Sequence, residues 1–145
     1  MKARIAISAL CLGVLAVTSS AQALDEGLVG NWKFLRNFTY VNVDANANIF
    51  QCRILPDLNV YLATGHVSEE GSVQWDPVRF FGLYGNEVAP SGQDWGTGDI
   101  ELRTRVMFLS GLNASSTGIE RREFDRVADL PTICSYYLAL VTDVN

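Results

Sequence analysis

The sequence predicts an all-β protein, a small antiparallel barrel of about eight strands in a single domain. Three observations lead there. Apolar and polar residues alternate with period two along most of the chain, the pattern of strands that bury one face. Pairs and clusters of Pro, Gly, Asn and Asp interrupt the alternation at short intervals. Only one segment, near 118–129, carries a competing helical pattern. Short strands separated by turns bury their faces in a barrel or a sandwich, and a barrel leaves no exposed edge.

The elements follow in chain order. Leu28, Gly30, Trp32 and Phe34 share one face, and Asn31 and Lys33 the other. Phe38 and Tyr40 alternate with Thr39 and Val41. The β-rich run Ile49 to Leu55 ends at Pro56-Asp57, a good turn pair; Leu58, Val60 and Leu62 alternate beyond it, which predicts a hairpin. Val73 and Trp75 precede a turn at Asp76-Pro77. Val78 to Tyr84 is aromatic, with Gly82 marking a bulge or a close approach. Residues 85–98 read as a long loop. A single strand then sets Ile100, Leu102, Thr104, Val106 and Phe108 against Glu101, Arg103 and Arg105. A polar turn covers 111–118. Residues 119–127 fit a charged strand returning as a hairpin; one short helix near 118–129 is the alternative, because Thr117 and Glu120 have capping-box spacing. Thr132 to Thr142 is β-branched and aromatic and reads as the last strand.

Residues 1–23 read as a cleavable signal peptide. Lys2 and Arg4 precede an apolar run from Ile5 to Val17, and Ala21-Gln22-Ala23 fits the small-x-small cleavage rule. That run is too short to span a hydrocarbon core as a helix. The expected product, residues 24–145, is one domain, exported to the periplasm or beyond. Losing Lys2 and Arg4 leaves 9 basic residues against 16 acidic ones, a net charge of −7. Such a balance argues against nucleic acid and anionic membranes as partners. Cys11 departs with the signal, so a single bridge, Cys52–Cys134, is expected in an oxidising compartment. The expected state is a monomer.

Chemistry is sparse. His66 is the only histidine, and no nucleophile elbow accompanies it, so no catalytic residue is assigned. Asp44-Ala45-Asn46-Ala47-Asn48 copies the start of a calcium loop, but Ile49 stands where the turn glycine belongs and Leu55 where the bidentate glutamate belongs. Asp94 to Glu101 is a second oxygen-rich stretch. No metal and no cofactor is expected. Glu69 and Glu70 are adjacent and would point to opposite faces of a strand, so they make no glycosidase pair. Asn37 and Asn113 lie in glycosylation sequons.

Gly30-Asn31-Trp32 resembles the Gly-x-Trp motif that opens lipocalin-like (calycin-type) barrels, the small bacterial domains in particular. The resemblance implies that Trp32 closes one end of the barrel. It also implies that an arginine from a late strand, Arg121, Arg122 or Arg126, packs across the ring, a contact contributing about 0.5–2 kcal/mol. It implies, further, capture of a small apolar ligand.

Trp75, Phe80, Tyr84 and Trp95 are the candidate ligand- or partner-binding residues, because aromatics near predicted turns can line a pocket or anchor a partner. Trp95 sits in a polar, Gly-rich segment with no strand pattern to bury it. The expected function is non-catalytic binding of a small apolar ligand. The alternative is a protein-binding or inhibitor module working through aromatic loops; an enzyme or a structural envelope protein comes after both. Exported material should begin at Leu24, which intact mass measurement checks; a product retaining residues 1–23 would refute the export reading.

Overall fold

The computed structural model describes residues 24–88, 97–112 and 119–143. The expected signal segment, Trp95 and Asn113 lie outside them. Among the described residues, ten strands form one antiparallel sheet: β1 (Gly30–Phe34), β2 (Thr39–Val43), β3 (Asn48–Ile54), β4 (Val60–Val67), β5 (Ser72–Trp75), β6 (Arg79–Phe81), β7 (Glu87–Val88), β8 (Thr97–Arg103), β9 (Val106–Leu112) and β10 (Ile119–Val127). Eight of them close a barrel in the order β1-β2-β3-β4-β5-β8-β9-β10, with β10 returning to β1. The second edge of β4 is divided. Its last residues pair with β5 and its first residues with β6, so the β6–β7 hairpin hangs off the barrel wall.

Two ends follow from this meander. At one end lie the turns 44–47, 68–71 and 104–105. At the other lie 35–38, 55–59, the β6–β7 hairpin and the chain ends of β9 and β10. The first end is shut. A 3-10 turn (Glu26–Leu28) brings Leu28 under the barrel, and its carbonyl accepts a 2.9 Å hydrogen bond from Trp32 Nε1. Trp32 is fully buried. Arg126 of β10, directly opposite in register, sets its guanidinium 4.3 Å from the ring centroid and donates to the carbonyls of Val29 and Gly27. Gly30 makes room for it: at φ +139, a β-carbon there would collide with Arg126 Nη1. Of the three arginines offered for this contact, Arg126 is the one that makes it.

The interior is filled. Phe34 and Phe124 meet at 5.5 Å between ring centroids, and Val41, Val43, Ile49, Ala63, Val67, Val73, Trp75, Ile100, Met107 and Leu109 complete the inner core. Eight strands give a bore that side chains just fill.

A second core lies outside the wall. Alternation turns Phe50, Cys52, Val60 and Leu62 outward, and the helix α1 (Thr132–Thr142) covers them. Cys52 and Cys134 are bridged across this seam, 82 residues apart. Here the expectation of a last strand is corrected. Cys134, Tyr137, Leu138 and Val141 fall at helical spacing and supply the buried side, while Pro131, at the N-cap, has the fixed φ that suits a helix start. The helix alternative near 118–129 is replaced by strand β10, and the only α-helix among the described residues is α1.

A second correction concerns 100–108. Thr104-Arg105 is a turn, with Thr104 at φ +57, so the predicted single strand is the hairpin β8–β9. Inward-facing residues become Ile100 and Leu102, then Met107 and Leu109, whereas Val106 and Phe108 lie on the other face. Strand β6 is also shorter than Val78–Tyr84, because Gly82 begins the turn to β7 rather than a bulge.

Replacing Trp32 with Ala should destabilise the protein by about 3–5 kcal/mol, the usual cost of emptying a buried aromatic site. Chemical denaturation measures it; a change below 1 kcal/mol would show that the plug is not what holds this end.

Candidate functional site

The mouth of the barrel is built by strand ends that alternate between lining the bore and facing the outer core. On β3, Ile49 and Gln51 point inward while Phe50, Cys52 and Ile54 belong to the outer seam, so Arg53 also lies on the inner face. Arg53 stands opposite Thr39 on β2 and Tyr61 on β4, and Tyr61 stands opposite Phe80 on β6. The Tyr61 and Phe80 rings meet at 4.7 Å. On β10, Glu120 and Arg122 share the face of Phe124 and Arg126, and Arg122 Nη2 donates to Glu120 at 3.0 Å.

Beneath this mouth, a cavity of about 20 Å³ remains between Gln51, Trp75, Leu109, Ser110, Gly111, Glu120 and Arg122. It has room for a water or one small terminal group, far below the roughly 300–1,000 Å³ of a pocket that encloses a drug-sized ligand. Gln51 is 2% exposed, and its Nε2 has no hydrogen-bond partner among the described residues. Gly98 keeps the β8–β9 wall of the mouth closely paired; a β-carbon there would overlap the Ser110 carbonyl oxygen.

Around the mouth lies an apolar rim. Among the described residues, nine large apolar side chains are exposed, and seven of these are at this end: Leu35, Phe38, Leu58, Leu83, Tyr84, Val88 and Ile119. Tyr84 is 92% exposed, at the tip of the β6–β7 hairpin. The hairpin is held from two sides. Phe81 packs on Tyr137 of α1 at 4.7 Å, and Arg79 forms a two-toothed ion pair with Glu87 at 2.8 and 2.9 Å. No protein-family model, curated protein or solved structure matches this chain.

The aromatics proposed from the sequence occupy different places. Trp75 is buried and lines the cavity; Phe80 is half-buried against Tyr61; Tyr84 stands on the rim. Sequence reasoning missed Gln51, Arg53, Arg122 and most of the apolar rim. A signal was present for Gln51, a polar residue on the same face as Ile49. Leu35 sits in a turn with no burial pattern, whereas Phe38, Leu58 and Leu83, which the alternation and the aromatic run 78–84 assigned to strands, stand exposed in turns.

Elsewhere, Asp44 is absorbed in its own turn, accepting from the Asn46 and Asn48 backbone and from Asn48 Nδ2. His66 is exposed on the outer face of β4. No cluster of metal-ligating side chains occurs among the described residues.

The hydrogen bonds from Arg79, more than its charge, hold the Glu87 carboxyl below its ordinary value. A carboxylate depressed on folding stabilises the hairpin fully above its unfolded value and loses that contribution as pH falls through the folded one. The pair is half-exposed, so the contribution is small. An NMR titration of the Glu87 carboxyl should give a midpoint below the ordinary value near ~4.3, and Arg79→Gln should return it there; an unchanged midpoint would refute the pairing.

Proposed function

We propose that this chain is an exported, non-catalytic binding module that takes a protein partner on the open end of its barrel. One observation carries the reading: large apolar side chains are exposed around one end of a barrel whose bore is already filled. Exposed apolar side chains gathered in one place mark interaction surfaces, and aromatic anchors such as Tyr84 carry a disproportionate share of binding energy. The Cys52–Cys134 bridge supports an oxidising destination. No helix among the described residues is long and apolar enough to cross a membrane.

The lipocalin-like reading shares the barrel, the Gly-x-Trp plug and its arginine. Its apolar ligand would need a chamber, and the cavity at Gln51, Trp75 and Arg122, of about 20 Å³, is too small to be one. A rim that accepts a protein surface needs no chamber.

The test pairs two measurements on the exported protein. Tyr84→Ala and Leu83→Asp should each weaken capture of the same partner from the native extracellular milieu, by about 2 kcal/mol or more for Tyr84. Glu70→Ala, at the shut end, should leave it unchanged. An environment-sensitive apolar dye should find no saturable site. Saturable dye binding with rim variants indistinguishable from the parent would overturn the proposal and favour the small-ligand reading.

A further inference from the structure

The cavity under the rim contains an unanswered hydrogen-bond donor. Gln51 is almost wholly buried, and its Nε2 carries two N–H groups with no acceptor. Leaving such a group unpaired forfeits its solvation without return. Most buried polar groups in folded proteins have partners, so an orphan beside a cavity points to an occupant that brings an acceptor.

The charges around it specify which acceptor. Arg53 follows on the same face of β3 and makes no hydrogen bond or ion pair among the described residues. Arg122 lines the cavity and uses Nη2 for Glu120. Among the described residues on the inner face of β3 and β10 at this mouth, two guanidinium groups, Arg53 and Arg122, stand with one carboxylate, Glu120, on a chain whose overall balance is negative. Asp25, Asp44, Glu69 and Glu70 lie at the opposite end, together with Arg105. A neutral carbonyl would satisfy Gln51 alone; a carboxylate satisfies Gln51 and the surplus cation together. Bonds between charged donors and a carboxylate are also stronger than neutral ones.

We propose that Gln51, Arg53 and Arg122 form a carboxylate-binding subsite in the barrel mouth, filled by an acidic side chain of the protein that docks on the rim. With about 20 Å³ of free space, the cavity suits the end group of such a side chain rather than a whole small-molecule ligand. This rests on the rim reading for the source of the carboxylate, but the subsite itself can be tested without the partner.

The probe is acetate, titrated into the full exported chain at constant ionic strength against chloride, and followed by the side-chain amide resonances of Gln51. Acetate should shift them saturably; chloride and acetamide should not. Arg53→Gln, at the half-exposed edge of the mouth, should weaken acetate at least tenfold while leaving the fold intact. Arg122→Gln should weaken acetate in the same way, so either arginine variant tests the subsite if the other does not fold. Tyr84→Ala should leave acetate binding unchanged, which separates the subsite from the rim. A Gln51 amide indifferent to acetate, or equally shifted by acetamide or chloride, would overturn the proposal even if rim variants lose the partner.

Discussion

Trp32 is the residue around which the barrel is organised. Its ring fills the shut end, its Nε1 is satisfied by Leu28, and Arg126 covers it while holding the incoming chain through two carbonyls. That arrangement needs Gly30, since any side chain there would occupy the place of the guanidinium. From this plug the core grows upward through Phe124, Phe34 and Met107 until the bore is full. Large apolar side chains stand exposed instead at the mouth, on strand ends and turns.

The outer wall solves a different problem. Phe50, Cys52, Val60 and Leu62 alternate out of the bore and would face water without cover. Helix α1 provides it, fastened by the Cys52–Cys134 bridge, and so creates a second core on the far side of β3 and β4. The helix also steadies the β6–β7 hairpin through Tyr137 and Phe81. Burial raises the Tyr137 phenol above its ordinary value, with Tyr136 adding to the effect, so the ring stays neutral in that seam. The rim residues Leu83 and Tyr84 therefore stand on an element braced by the helix and by the Arg79–Glu87 pair rather than on an unsupported loop.

The divided edge of β4 joins these two features. Its upper half belongs to the barrel through β5, while its lower half pairs with β6 outside it. At the fork, Asp76 accepts a 2.7 Å hydrogen bond from the Thr64 hydroxyl, and its backbone N–H bonds the Thr64 carbonyl, which holds the departing chain. One strand thus serves the closed core and carries the hairpin that extends the mouth.

What the sequence determined by itself was the all-β barrel, most of its strands, the tryptophan plug and the cysteine pair. These rest on period-two alternation, a short motif and the count of cysteines, all of which are local or combinatorially unique. Two local readings failed for one reason. Thr132 to Thr142 is rich in β-branched and aromatic residues, yet its apolar stripe at 134, 137, 138 and 141 found an uncovered wall, and that burial overrode propensity. Thr104-Arg105 continued the alternation of 100–108 in the sequence, and only the pairing of β8 with β9 showed it to be a turn. The site was less legible still. Its aromatics could be named, but whether each lined the bore, packed half-buried or stood on the rim depended on which way its strand faced and where it ended. Gln51 and Arg53 on β3 and Arg122 on β10 lie far apart in the chain, and they share one mouth only because the barrel closes β10 onto β1. Alternation is written residue by residue; convergence is a property of the closed sheet, and tertiary structure alone decides it.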